Sequence, residues 1–210
     1  MARGKFITVE GIEGVGKSTN MRRFIGHIEA SGRTVVETRE PGGTPTAERI
    51  RDVVLGHAEE PVPPTAELLL MFAARSLLVE NVIRPALEAG KWVVSDRFVD
   101  ASRAYQGGGR GIPTERIETL ANWVLEDLEP DATLLLDAPV ETGMARTSAR
   151  GEPDRLDSEQ AAFYSRVRDR YLKLAEDNPD RFHVIDASGS IDEVGARIDE
   201  IASALLSKTD

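Results

Sequence analysis

The sequence predicts an α/β fold, a five-stranded parallel sheet flanked by helices on both faces, and three observations carry that prediction. Five short apolar runs rich in β-branched residues recur along the 210 residues. Helix-period segments separate them. The runs are almost continuously hydrophobic, as strands buried on both faces require. Strictly alternating β and α segments build parallel sheets through crossover helices. Residues 1–210 suit one domain, long enough to bury a sizeable core.

In chain order, strands are expected at 5–9, 34–37, 91–95, 132–136 and 182–185. Helices are expected at 18–30, 44–54, 65–87, 114–128, 140–149, 158–176 and 191–206. Gly32 and Gly90 fall just past helix ends, where a left-handed residue closes the last turn. Thr114 and Ser190 stand where a side chain can cap a helix start. Two stretches read as loops able to move over a site: "YQGGGRG" at 105–111 and "ARGEPDRLD" at 149–157.

Composition removes several functions. No run approaches the ~18 apolar residues of a membrane span, and "MARGKFITVEG" lacks the apolar core of a secretory signal. The net charge of −10 disfavours nonspecific contact with nucleic acid or anionic membrane. With no cysteine, disulfides, cysteine–zinc sites and thiol catalysis are excluded, which fits the cytoplasm. His27, His57 and His183 are scattered without metal-ligand spacing. Arginines number 21 against 5 lysines, and the arginine fork suits phosphate.

Ligands of such sheets bind beyond the carboxyl ends of the strands. Glu10, Arg39, Glu40, Asp96, Arg97 and Asp137 all follow strands. The first strand runs into "GIEGVGKST". Glycines at 11, 14 and 16 let backbone N–H groups face an anion, and the next helix adds its positive end. Lys17 reaches the β and γ phosphates and the Ser18 hydroxyl holds Mg²⁺. The ATP-side set is therefore Gly11, Ile12, Glu13, Gly14, Val15, Gly16, Lys17, Ser18 and Thr19. Glu13 places a negative charge inside this loop and requires a compensating cation. No Asn-Lys pair exists to read guanine, and the chain is short for a motor and acidic for a translocase. A small kinase with an acceptor pocket and a means to exclude water remains.

The order and spacing of "TREPGGT" (38–44), "LLLMFAAR" (68–75), "DRF" (96–98), "AYQGGGRG" (104–111) and "ARGEPDRLD" then resemble thymidylate kinases of the bacterial type, across nearly the whole chain. The resemblance implies a P-loop nucleoside-monophosphate kinase fold. It implies transfer of the ATP γ-phosphate to dTMP, giving dTDP and ADP for dTTP synthesis, with Mg²⁺ and a homodimer. It assigns Asp96 and Ser18 to the metal, and Arg97 to the acceptor phosphate. Arg75 falls at the thymine carbonyl edge, and Ser102 and Gln106 near base and sugar. Tyr105 lies beneath the deoxyribose, where it bars a 2′-hydroxyl. Arg39, Glu40 and Arg51 are further acceptor-side residues. Either Phe72 stacks on the base, or Met71 packs on it and Phe72 supports it. The resemblance turns Glu13 toward the acceptor 3′-hydroxyl. A lid at 146–157 supplies transition-state cations, Arg150 first, then Arg155 and Arg146. Related small kinases acting on other deoxynucleotides or nucleosides, and a nucleotide-binding protein without turnover, are the competing readings.

Overall fold

The computed structural model describes residues 3–56, 60–148 and 159–207. Its elements run β1 (Phe6–Glu10), α1 (Lys17–Ala30), β2 (Val35–Arg39), α2 (Pro45–Leu55) and α3 (Pro64–Leu78). A π-helical turn (Val79–Ile83) leads into α4 (Arg84–Glu88), followed by β3 (Trp92–Asp96) and α5 (Val99–Ser102). A second π-helical stretch (Arg103–Gly109) continues α5. Then come α6 (Thr114–Leu125), β4 (Ala132–Asp137), α7 (Val140–Ser148), α8 (Ala161–Asp177), β5 (Phe182–Asp186) and α9 (Ile191–Ser207).

All five strands pair in parallel, in the order β2-β3-β1-β4-β5. Alternate side chains of a strand point to opposite faces. Ile7 and Val9 enter one apolar core with Phe24, Ile28 and Tyr171, while Phe6 enters the other with Phe72, Leu78 and Ile117. β1 is buried at every position. The expectation of strands buried on both faces holds for the middle of the sheet and fails at its rims. β2 and β5 are edge strands, and Val184 is 52% exposed.

Gly32 and Gly90 take positive φ as expected, and Ser190 with Glu193 forms a reciprocal capping box. Thr114 does not cap: Pro113 precedes α6 and no side chain caps it. The long helix expected at 65–87 is one path with a widened turn in it. Pro85 has no N–H to give, and the π turn just before it absorbs the missing bond.

The larger correction concerns "YQGGGRG". Residues 105–109 are helical, the end of the stretch Arg103–Gly109, and only Arg110 and Gly111 lie past it. A Cβ on Gly108 would stand 2.7 Å from Arg170 Cβ and 2.9 Å from the Arg166 carbonyl, and one on Gly109 would stand 2.5 Å from the Phe163 ring. The glycines are there so that α8 can lie directly on this stretch. Of the other expected loop, residues 149–157 lie outside the described residues.

Candidate active site

β1, β3 and β4 end on the same side of the sheet, and a cleft of about 830 Å³ opens there. Glu13, Gly14, Val15 and Gly16 line it, followed by Lys17, Ser18 and Thr19 at the start of α1. Gly11, Gly14 and Gly16 have φ of 135°, 76° and 90°, a region that side chains resist. Gly14 also touches α7: a Cβ on it would reach within 2.0 Å of the Gly143 carbonyl. A Cβ on Gly143 would come 2.5 Å from the Glu13 carbonyl. Two glycines thus let α7, which carries Arg146, rest on the loop. Gly11 and Ile12 sit behind the lining; their carbonyls accept from Lys17 Nζ at 3.1 and 2.9 Å. Burial, then the neighbouring Arg97 charge, lower the Lys17 pKa to about 8 against the pull of Asp96, Glu13 and Glu10.

Arg97 answers the question that Glu13 raises. Its Nη2 donates to Glu13 Oε1 at 2.8 Å, and Nη1 donates to the Gly11 carbonyl at 3.1 Å and the Tyr171 hydroxyl at 3.3 Å. The Tyr105 hydroxyl donates to both Glu13 oxygens, at 2.8 and 2.7 Å, and its ring lies 4.7 Å from the Arg97 guanidinium carbon. The loop's carboxylate is therefore neutralised from β3. Arg97 adopts φ of 71°, unusual for a residue with a side chain. Its carbonyl accepts from the Ser95 hydroxyl at 2.7 Å, and the next N–H, of Phe98, donates to Glu10 at 2.8 Å.

Glu10, at the end of β1, is fully buried and also accepts from the Tyr171 hydroxyl at 2.6 Å. Burial, with Asp100 adding repulsion, pushes its pKa up to about 8, although Arg97, Tyr171 and the Phe98 amide pull the other way. Glu10 and Tyr171 thus hold the backbone and head group of Arg97. The strand-end rule singled out Glu10; nothing in the sequence pointed to Tyr171, which comes from α8.

The far wall is built from α3 and from α5 with its π-helical continuation. Met71, Gln106, Arg39, Glu40 and Arg51 line the cleft. Arg39 Nη2 pairs with Glu48 at 2.8 Å, and Arg51 Nη1 donates to the Pro41 carbonyl at 2.9 Å. Arg75 is fully buried behind them. It grips Glu40 through Nε and Nη2 at 2.6 to 3.1 Å and donates to the Phe98 carbonyl and Ser102 hydroxyl, each at 3.1 Å. Burial raises the Glu40 pKa in spite of that partner. The Phe72 ring lies 4.5 Å beneath the Arg75 guanidinium, inside the second core. Of the adjacent pair, Met71 meets the cleft and Phe72 supports Arg75. Glu67, which sequence reasoning did not select, accepts from Gln106 on the cleft wall.

Asp96 and Ser18 both line the cleft, and Asp96 Oδ1 is buried with no partner among the described residues. Among the described residues no cluster of three His, Cys, Asp or Glu could itself hold a metal. One carboxylate plus one hydroxyl is the sparse protein share that Mg²⁺ takes when phosphates and waters complete its shell. Arg146 lines the cleft from α7 and donates to the Ala187 carbonyl at 3.2 Å. Arg150 and Arg155 lie outside the described residues.

A phosphate loop between the first strand and helix, facing an acceptor pocket across the same sheet end, is the layout of P-loop nucleoside-monophosphate kinases. This chain falls in that class. A family model described as thymidylate kinase matches residues 9–198. The thymidylate kinase of Alkalilimnicola ehrlichii is 52% identical over 207 residues, covering 98% of this chain and 95% of the relative. That of Methylococcus capsulatus is 52% identical over 206 residues, covering 98% of each. The crystal structure of the Ehrlichia chaffeensis thymidylate kinase superposes with a TM-score of 0.75 at 33% identity, covering 97% of this chain and 99% of that one. The chain belongs to the thymidylate kinase family.

Proposed function

We propose that this enzyme transfers the γ-phosphate of ATP to dTMP, giving dTDP and ADP. The observation that carries the reading is the triangle Arg97–Glu13–Tyr105, set between the phosphate loop and the acceptor wall. A phosphate loop needs no carboxylate of its own to hold ATP. A carboxylate clamped by a cation and a phenol at the loop's outer side suits a sugar hydroxyl beside an acceptor phosphate.

The acceptor oxygen is already anionic at neutral pH, since a phosphate monoester has a second pKa of about 6. No general base is required, and catalysis is alignment plus electrostatics. Lys17 and the loop amides hold the ATP phosphates. Arg97 shares its guanidinium with the acceptor phosphate and reduces repulsion between two anions. Glu13 accepts from the acceptor 3′-hydroxyl, and the Tyr105 ring walls the sugar and bars a 2′-hydroxyl. Glu40, through Arg75, orders the base side, where Met71 packs; Gln106 borders the same base, Ser102 stands behind it holding Arg75, and Arg51 flanks the acceptor. Asp96 and Ser18 are the residues that would hold Mg²⁺, which when bound neutralises phosphate charge. Arg146, which lines the cleft from α7, is proposed as a cation for the transferring group. Arg150 and Arg155 are proposed as further lid cations on the family resemblance.

Exposed Leu69 on α3 and Trp123 on α6, at 53% and 80%, support a homodimer through these packed helices. No helix among the described residues is long and apolar enough to cross a membrane. We propose a cytoplasmic location because the cysteine-free chain suits a reducing compartment. ADP release, measured with ATP, Mg²⁺ and a panel of nucleoside monophosphates, tests the whole reading. dTMP is expected to be the best acceptor; no turnover with dTMP overturns it.

A further inference from the structure

Glu67 is 1% exposed and faces the acceptor side of the cleft from α3. Gln106 Nε2 donates to its Oε1 at 2.8 Å. The Arg110 guanidinium stands 3.4 Å from each of its oxygens, and Arg110 is itself held by Glu159 at 2.5 Å and laid over the Phe163 ring at 4.7 Å. Set against the Arg110 guanidinium, Glu67 offers its oxygens as acceptors. The amide of Gln106 must then turn its NH₂ to Glu67. That leaves Gln106 Oε1, which is buried in the cleft wall without a partner among the described residues. An acceptor left so is costly unless a ligand donor reaches it. Arg75 Nη1 is also buried and has no partner among the described residues, and Arg75 bonds Ser102, one turn before Gln106. One acceptor is thus left over in the cleft wall and one donor behind it, on a residue that the lining Glu40 holds.

We infer that Glu67 sets the base specificity of the acceptor pocket by fixing the Gln106 amide with its oxygen toward the ligand. A spare acceptor in the wall, backed by a spare donor, complements the N–H and C=O of an imide edge. Thymine and uracil carry that edge. Cytosine presents an unprotonated ring nitrogen to the Gln106 oxygen and an amino group to the arginine, so both contacts become repulsive. Glu67 is a positioning residue: it acts on the base only through Gln106. The inference rests on the reading of this cleft as the nucleoside-monophosphate site.

Glu67→Gln removes the lock, because glutamine can also donate and so accommodates either orientation of the Gln106 amide. Dissociation constants for dTMP, dUMP and dCMP, measured by calorimetry on the full chain, test it. The dCMP:dTMP ratio of dissociation constants is expected to fall at least about 10-fold in the variant. The dUMP:dTMP ratio, which depends on the methyl group alone, is expected to stay within about twofold; a loosened pocket would move it as well. In a Gln106→Ala background, Glu67→Gln is expected to change neither ratio. An unchanged dCMP:dTMP ratio, or the same shift without Gln106, overturns the inference. If circular dichroism shows Glu67→Gln unfolded, Glu67→Asp, which keeps the charge toward Arg110 but withdraws the acceptor, carries the same criterion. Binding of dTMP without turnover would sink the kinase reading and leave this one standing.

Discussion

Glu13 and Arg97 come from different strand ends and meet at 2.8 Å, so the phosphate loop and β3 share one charge pair. The first prediction follows from that pair. Glu13→Ala removes the proposed 3′-hydroxyl acceptor and frees Arg97 from its partner. A charged hydrogen bond of about 1.5–3 kcal/mol corresponds to about 10- to 100-fold. KM for dTMP is expected to rise by that order, with KM for ATP within about twofold. Steady-state kinetics on both substrates check it; equal losses for the two refute the assignment of Glu13 to the acceptor.

The buried Glu10 makes stability depend on pH in a defined direction. Its folded pKa is raised, from 4.5 to about 8, so the folded state holds a proton that the unfolded chain has lost. The stability from this proton is complete below about 4.5 and lost as pH rises through about 8. Glu40 is raised too and acts in the same direction. Glu10→Gln keeps an acceptor for the Phe98 amide but cannot ionise. Thermal melts at half-unit steps from pH 5 to 8 are expected to show a shallower decline in Tm for the variant. Parallel curves would remove Glu10 as a source of the slope.

Glycine-to-alanine changes are expected to take opposite signs at two places. At Gly26 in α1 an added Cβ meets nothing within 4 Å, so alanine should stabilise by about 0.5–1 kcal/mol through helix propensity. At Gly109 the Cβ meets the Phe163 ring at 2.5 Å, and overpacking should cost about 1–3 kcal/mol. For a chain of this size 1 kcal/mol moves Tm by about 2–4 °C, which calorimetry resolves. A neutral Gly109→Ala would mean that α8 can step back from the π-helical stretch.

The Arg75–Glu40 pair is fully desolvated, so removing one member should be worse than removing both. Arg75→Met leaves Glu40 buried without its partner and should cost about 3–5 kcal/mol. Adding Glu40→Gln should restore part of that loss. Chemical denaturation of the two singles and the double gives the coupling directly; additive losses would mean that the pair is not the stabilising unit.

The order of elements was legible in the sequence because hydrophobic period and strand-end polar residues are local. The phosphate loop was legible for the same reason: glycines, Lys17 and Ser18 all sit in one stretch. "YQGGGRG" misled because three consecutive glycines lower helix propensity, while the reason for them lies on α8, some 55 residues away in sequence. Thr114 misled because Pro113 takes the capping position. Glu67 and Tyr171 carried no local signal at all. Each is an ordinary helix residue until the fold sets it against Gln106 or Glu10. The choice between Met71 and Phe72 likewise needed the helix rotation that packing fixes.

The contact of Gly14 with Gly143 makes the loop and α7 a gauge of zero thickness. No atom separates backbone from backbone there, so the distance from the phosphate cradle to Arg146 is set by the main chain and not by any side chain that could rotate away. A single methyl at either position acts as a shim, displacing the helix along with its guanidinium. The residues of this chain that look least chemical at the site are, at this point, the ones that hold its calibration.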